Sequence, residues 1–169
     1  MTYHSEALDA AVHDLSSLRC GERSLDEWLR DHAHGAAARR VGRTFVWIEN
    51  AGDPRTVLGY YTLAGHRLRR DELPASIGRG SPHEIPAVLL ARLALDERLH
   101  QRGWGGVLLG DALGRVLVAT EQVAARFVAV DALSEEAASF YVHHGFRRVP
   151  GTARLVQKLS DIAAALDKS

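Results

Sequence analysis

A cluster of glycines near the middle of the chain has the clearest potential for chemistry. Gly103, Gly105 and Gly106 follow Gln101 and Arg102, between a strand-like run and a helix-like pattern. The first N–H groups of a helix have no partners within the helix and lie at the positive end of its dipole. Because glycine also lets a phosphate approach the backbone, the cluster fits an anion-binding site. The alternative is an ordinary turn from strand to helix.

The segments on either side of the glycines have distinct patterns. Ala87–Leu95 is a nearly continuous apolar run, which predicts a strand covered on both faces. From Val107 onwards, apolar residues recur at spacings of three and four, the period of a helix that buries one face. We expect this helix to end near Gln122. The glycines then lie at its first turn.

Two helices are predicted ahead of the first strand. The segment Ala7–His13 is weakly helical. Ser24 and Glu27 have the spacing of a capping box, so a helix is expected to begin at Ser24. Alanines extend it to about Val41, where the next residue is a glycine.

A β-hairpin follows these helices. Thr44–Ile48 and Val57–Ala64 are rich in β-branched and aromatic residues, and turn-forming residues separate them. The next stretch, Arg67–Pro86, contains several prolines and glycines, which predicts a loop with one short helix near Asp71–Ile77.

The C-terminal third predicts three strands and a capped helix. Arg126–Val130 is a strand, and Ser134 caps a short helix with an acidic first turn. Phe146–Val149 and Arg154–Leu159 are expected to be two closing strands, with a helical tail over Ser160–Ser169.

Together these elements predict an α+β fold with a mixed sheet. The length of 169 residues fits one domain, residues 1–169. A dinucleotide-binding fold is disfavoured, because its G-x-G-x-x-G fingerprint needs the third glycine at position 108 and this chain has it at Gly106.

The composition excludes several classes of protein. No apolar run approaches the roughly 20 residues that cross a bilayer, and the acidic N-terminus is unlike a signal peptide, so we expect a cytoplasmic protein. The lone Cys20 excludes an internal disulfide and is expected to be a small buried residue. The histidine pairs, among them His143 and His144, do not have metal-ligand spacing, so no metal is predicted.

The charges balance but are unevenly placed. The chain has 21 Lys and Arg and 21 Asp and Glu, so its formal net charge is zero. Arginines are concentrated between positions 39 and 70, whereas the first 31 residues are rich in acids. The arginines form either a surface that binds phosphates or a dispersed solubilising charge.

Two motifs resemble the GNAT family of acetyl-CoA-dependent N-acetyltransferases. The window His100–Gly105 is similar to the Q/R-x-x-G-x-G/A turn that binds the cofactor pyrophosphate, except that His100 replaces Gln or Arg. Phe140-Tyr141 followed by Gly145-Phe146 looks like the family's late helix. The resemblance implies a central twisted, mixed, mostly antiparallel sheet flanked by helices. It also implies that acetyl-CoA contacts the following residues: Leu93, Ala94, Leu95, Gln101, Arg102, Gly103, Trp104, Gly105 and Gly106.

Shorter matches extend the resemblance to the GNAT toxins of bacterial toxin–antitoxin pairs. They include Cys20-Gly21 before Leu25–Leu29, Gly59–Ala64, and Ile85-Pro86 leading into Leu90–Ala94. The resemblance implies that the α-amine of aminoacyl-tRNA is acetylated, which blocks translation. It also implies a ribbon-helix-helix antitoxin as partner and a homodimeric enzyme. We assign Arg40, Arg43 and Arg92 to the RNA substrate.

Acetyl transfer from a thioester to an amine requires stabilisation of an oxyanion and protonation of the departing thiolate. The family places the thioester against Leu93–Leu95, where a backbone N–H polarises its carbonyl. Tyr141 is the candidate general acid, because a phenol with a pKa of about 10 is protonated at neutral pH. The other interpretations are a GNAT enzyme that acts on a small amine or a protein N-terminus, and a non-catalytic module that binds CoA or a nucleotide.

Overall fold

The computed structural model describes residues 2–168. Its strands are β1 Tyr3–Ala7, β2 Arg43–Glu49, β3 Gly59–Arg69, β4 Glu84–Leu95, β5 Phe127–Asp131, β6 Arg147–Arg148 and β7 Arg154–Lys158. Its α-helices are α1 Arg23–Asp31, α2 Ala33–Ala38, α3 Ala75–Gly78, α4 Trp104–Ala119, α5 Glu135–His143 and α6 Leu159–Asp167. The strands are hydrogen-bonded in the order β1-β2-β3-β4-β5-β7-β6. This mixed, mostly antiparallel sheet confirms the predicted α+β class.

The chain divides into two compact units. The first comprises the residues up to Ala64 together with Ala91–Ala112. The second comprises Gly65–Leu90 and the residues from Leu113 onwards. Strands β3 and β4 each contribute one part to each unit.

The first unit contains the predicted hairpin. β2 pairs antiparallel with β1 and with β3, in registers that include Ser5 with Trp47 and Val46 with Tyr60. α1 and α2 bury Leu29 and Ala33 in the core beneath these strands, which also contains Val46 and Tyr60. Burial of such apolar side chains is the main stabilising contribution to this unit.

The second unit is built around β5. This strand pairs parallel with β4 over Ala87–Leu89 and antiparallel with β7 over its whole length. Phe127, Ile85 and Val156 are buried together in its core. The Ser134 cap is confirmed, because its hydroxyl accepts the backbone N–H of Ala137 at 3.1 Å.

Three predictions at the N-terminus are wrong. Strand β1 precedes the helices, and Leu8–His13 is not helical, because pairing with β2 outweighs a weak local preference. The capping box is absent: α1 begins at Arg23, so Ser24 lies inside its first turn. The helix also breaks at His32, and α2 is a separate short helix.

The other differences concern element lengths. β3 continues to Arg69 and β4 begins at Glu84, so both strands enter the predicted loop. Pro86 lies within β4, where its carbonyl accepts the Arg126 N–H. α4 ends at Ala119, three residues before the predicted end. The tail is helical as predicted, and its last residue, Ser169, lies outside the described residues.

Candidate functional site

The glycine turn joins β4 to α4 through a strained segment. Gln101 has φ +61° and Gly103 has φ +81°, both in the left-handed region. Glycine adopts this region freely, whereas for Gln101 it costs on the order of 1–3 kcal/mol, which the surrounding turn must offset. α4 begins at Trp104, so the N–H groups of its first turn have no partner within the helix. The strand, the glycine turn and the helix N-terminus thus follow one another as predicted, and the anion site itself stays a prediction.

The side chain of Trp104 contributes packing rather than a free contact surface. Its ring lies 5.0 Å from that of Tyr3 and 6.2 Å from that of Trp47, measured between centroids, in edge-to-face arrangements. Such aromatic pairs stabilise a fold beyond their area burial. Trp104 is one of the predicted cofactor residues. Because its ring is packed against other aromatic rings, its backbone N–H is the group that it can offer to the cofactor.

A buried carboxylate fixes the start of the turn. Asp96 is 2% exposed and accepts the Arg98 backbone N–H at 3.0 Å and the Arg98 Nε–H at 2.7 Å. It also accepts the Arg19 backbone N–H at 3.2 Å. Burial raises the pKa of Asp96, but these hydrogen bonds outweigh it and hold the pKa below its usual value. Asp96 therefore stays ionised and holds the turn against the segment that contains Arg19.

His100, the residue that departs from the GNAT pattern, makes a structural contact. Its Nε2 lies 2.7 Å from the carbonyl oxygen of Leu95 and donates a hydrogen bond to it. The bond ties the turn to the last residue of β4. The backbone that presents the glycines is therefore held in place by the histidine itself.

Asp111 anchors α4 to the sheet, and sequence analysis missed it. Its carboxylate accepts hydrogen bonds from Ser5 Oγ at 2.7 Å, Tyr61 Oη at 3.0 Å and Trp47 Nε1 at 3.2 Å. These donors lie on β1, β3 and β2. Because α4 carries the glycine turn at its N-terminus, Asp111 fixes the direction in which the turn faces.

The segment predicted to contact the thioester, Leu93–Leu95, is more exposed to solvent than expected. Ala94 is buried, but Leu93 and Leu95 are only partly buried, which corrects the prediction of a strand covered on both faces. The pairing register with β5 runs from Ala87–Phe127 to Leu89–Ala129, whereas β4 continues to Leu95. The end of β4 therefore lies beyond this register.

Tyr141 lies on α5 in the second unit. It is 6% exposed, and its ring packs edge-to-face against Phe140 and Phe146 at 5.2 and 5.4 Å between centroids. Burial raises the pKa of its phenol above the usual value, so the group is protonated at neutral pH.

The hydroxyl of Tyr141 is available to a ligand. It makes no hydrogen bond with another residue between positions 2 and 168. In the same range, Gln157 Oε1 is the only fully buried side-chain oxygen or nitrogen atom that lacks a hydrogen-bond partner, so the Tyr141 hydroxyl is not fully buried. The Tyr141 hydroxyl is therefore in contact with solvent, although its ring is buried.

The arginines assigned to the substrate have different surroundings. Arg92 is partly buried, and its guanidinium lies 3.9 Å from the centroid of the Trp28 ring, a cation–π contact. Burial lowers the pKa of Arg92. Arg40 and Arg43 are exposed, and within the described part of the chain neither has an ion pair. Arg92 also lines a cavity of about 440 Å³ with Trp28 and Arg39.

The described residues contain neither a reactive cysteine nor a cluster of metal ligands. Cys20 is buried, as predicted, and burial raises the pKa of its thiol to about 12. A thiol with this pKa is not a nucleophile at neutral pH. Residues 2–168 contain no group of three or more His, Cys, Asp or Glu side chains arranged to hold a metal ion. Within the same range, no helix is long and apolar enough to span a bilayer.

Comparison with known proteins identifies the family. A tRNA-acetylating toxin of Mycobacterium tuberculosis (strain ATCC 25618 / H37Rv) is 36% identical to this chain over 137 residues, which cover 81% of this chain and 80% of the toxin. The chain belongs to the family of GNAT-type tRNA-acetylating toxins. A second member, a probable toxin TacT of Sinorhizobium fredii (strain NBRC 101917 / NGR234), is 30% identical over 154 residues, 86% of this chain and 84% of that protein. No protein-family model matches the chain.

Solved structures of related toxins share the whole fold. AtaT complexed with acetyl-methionyl-tRNAfMet superimposes with a TM-score of 0.86 at 32% identity, covering 98% of this chain and 99% of AtaT. AtaTR bound with acetyl-CoA superimposes with a TM-score of 0.81 at 31% sequence identity, and the match covers 97% of this chain and 98% of that one. A tyrosine-to-phenylalanine mutant of AtaT, bound to the C-terminus of the antitoxin AtaR, superimposes with a TM-score of 0.82 at 30% sequence identity. The match covers 96% of this chain and 97% of that one.

Proposed function

We propose that this protein transfers the acetyl group of acetyl-CoA to the α-amine of aminoacyl-tRNA and acts as a translation-blocking toxin. The observation that carries the proposal is membership of the tRNA-acetylating toxin family. AtaT, which covers nearly the whole chain, has been solved with acetyl-methionyl-tRNA. We propose that the whole chain, residues 1–169, acts as one GNAT domain.

We propose that the glycine turn binds the pyrophosphate of acetyl-CoA. The exposed left-handed residues Gln101 and Gly103 and the free N–H groups at the start of α4 support this role. Arg102 is exposed and adds a cation beside Gly105 and Gly106. The complex of AtaTR with acetyl-CoA agrees with this choice of co-substrate.

The thioester is assigned to Leu93, Ala94 and Leu95. Their segment of β4 continues beyond the β4–β5 register, so the backbone N–H groups that point away from the neighbouring β3 can bind a ligand. A backbone N–H there polarises the thioester carbonyl and stabilises the oxyanion formed when the amine attacks. The Leu95 carbonyl is already bonded to His100, so an N–H group is the contribution expected from this segment.

Tyr141 is assigned as the general acid. In the reaction, the amine nitrogen forms a bond to the acetyl carbon, the bond from that carbon to sulfur breaks, and the amine loses a proton to water. The departing thiolate takes the proton of the Tyr141 hydroxyl, which solvent then restores. The accessible hydroxyl and the ring held in place by packing support this assignment, and the raised pKa means only that the phenol stays protonated until the thiolate departs.

We propose a ribbon-helix-helix antitoxin as the partner, a homodimer as the active form and the cytoplasm as the site of action. AtaT binds the C-terminus of its antitoxin AtaR, which supports a proteinaceous antitoxin for this chain. Charged tRNA is cytoplasmic, which supports the location.

The function is tested with purified protein, labelled acetyl-CoA and a pool of charged tRNA. We expect label at the aminoacyl end of tRNA, released when the ester bond is cleaved by mild base. Labelling only of free small amines or of protein N-termini would instead establish the second candidate, a GNAT enzyme of metabolism or protein modification. Binding of acetyl-CoA without any turnover would establish a non-catalytic module.

A further inference from the structure

The cavity beside Arg92 adjoins the segment assigned to the thioester. Ala91 and Arg92 line it, and the next residues along β4 are Leu93–Leu95. A strand advances about 3.3 Å per residue, so the cavity wall lies within roughly 10 Å of Leu95. The α-amine and the side chain of an aminoacyl group are attached to the same carbon. Leu93, the first residue of the segment assigned to the thioester, directly follows Arg92, so the cavity adjoins the place where the amine of an aminoacyl group would react.

The size and lining of the cavity suit an amino-acid side chain. Its volume of about 440 Å³ is ample for the largest side chains. Its lining includes the small buried residues Ala36 and Gly42, together with the larger side chains of Trp28 and His32. The Thr62 hydroxyl is bonded to that of Thr44 at 2.8 Å, so it is already partnered.

The charge of the cavity is positive. Arg39 and Arg92 both line it, and no carboxylate of the described residues does so. Arg39 is exposed and has no ion pair with another residue in the range 2–168. A third cation here would meet two guanidinium groups without a compensating carboxylate, and because Arg92 is partly buried, its repulsion is screened less by solvent than that of the exposed Arg39.

We infer that this cavity receives the side chain of the aminoacyl group and selects against lysine and arginine. The inference rests on the proposed function, because it names the class of aminoacyl-tRNA that the enzyme accepts. Uncharged side chains fit the cavity without repulsion from Arg39 and Arg92. Lysyl- and arginyl-tRNA are excluded by charge rather than by size.

The test compares acetylation rates on separately charged tRNAs. With the native enzyme, we expect kcat/KM for lysyl-tRNA to be at least tenfold below that for methionyl-tRNA, whose side chain has a similar length. In Arg39→Glu, the ratio of the lysyl to the methionyl rate should rise at least tenfold. Arg79→Glu changes the net charge equally at another exposed arginine without an ion pair in the described structure, and should leave the ratio unchanged.

A second variant changes the volume of the cavity without changing its charge. Ala64 lines it, so Ala64→Leu should lower the ratio of the methionyl rate to the glycyl rate at least tenfold. Equal native rates on lysyl- and methionyl-tRNA would overturn the inference. So would an equal loss on every aminoacyl-tRNA in Arg39→Glu and Ala64→Leu, which would assign the cavity to the 3′ end of the tRNA. Failure to acetylate any aminoacyl-tRNA would instead refute the proposed function.

Discussion

At the scale of single residues, the proposed chemistry depends on one hydroxyl. Tyr141→Phe removes the proton that the thiolate needs and keeps the ring between Phe140 and Phe146. General acids contribute about 10²–10⁴-fold to a rate, so we expect kcat to fall about 100-fold. The affinity for acetyl-CoA, measured by calorimetry, should not change. An unchanged kcat in Tyr141→Phe would disprove the general-acid role.

At the scale of elements, α4 is held by the carboxylate of Asp111. Asp111→Ala removes the acceptor that the Ser5 and Tyr61 hydroxyls and the Trp47 indole share; the two hydroxyls lie 3.0 Å apart and can bond each other, whereas the buried indole loses its acceptor. An unsatisfied buried donor costs about 1–3 kcal/mol, so the free energy of unfolding in urea should fall by a similar amount. Asp161→Ala, on the first turn of α6, is the matched control and should lose well below 1 kcal/mol. Equal losses in the two variants would show that Asp111 does not anchor α4.

The same helix carries the cofactor turn, and a charge placed there tests it. Gly105→Asp puts a carboxylate where the pyrophosphate is proposed to bind, so acetyl-CoA binding should be lost in calorimetry. The fold should survive, because an acidic residue is favourable in the first turn of a helix. Gly114→Asp adds the same charge more than two turns further along α4, where an added Cβ meets no atom within 4 Å. That variant should bind normally, and tight binding by Gly105→Asp would exclude the turn as the phosphate site.

Sequence analysis predicted the elements that have strong local signals. The period of α4, the cap at Ser134 and the hairpin of β2 and β3 are all local patterns, and the structure confirms them. β1 was missed because its formation depends on pairing with β2, some 40 residues away.

The candidate site was predictable to a similar degree. The glycine turn is a contiguous motif, whereas the supports of that turn join distant residues: Asp96 with Arg19, and Asp111 with Ser5. His100 was visible only as a departure from the pattern. Its role became clear from its hydrogen bond to the carbonyl of Leu95.

At the scale of the whole molecule, a formal net charge of zero must be reconciled with an RNA substrate. Many arginines are neutralised locally; Arg67, for example, pairs with Glu84 at 3.2 Å. Arg40 and Arg43 have no such pair among the described residues. A few unpaired arginines can bind phosphates although the total charge is balanced, so tRNA affinity should depend on a small number of contacts.

The salt dependence of tRNA binding tests this account. Each phosphate contact releases counterions, so the slope of log K against log salt falls by about 0.7–1 for each arginine removed. Arg43→Ala should therefore weaken binding and reduce the slope by about 1, measured as Kd over a series of KCl concentrations. Arg67→Ala removes the same charge from an ion-paired residue and should leave the slope as it is. If the two variants change the slope equally, net charge rather than Arg43 itself controls RNA binding.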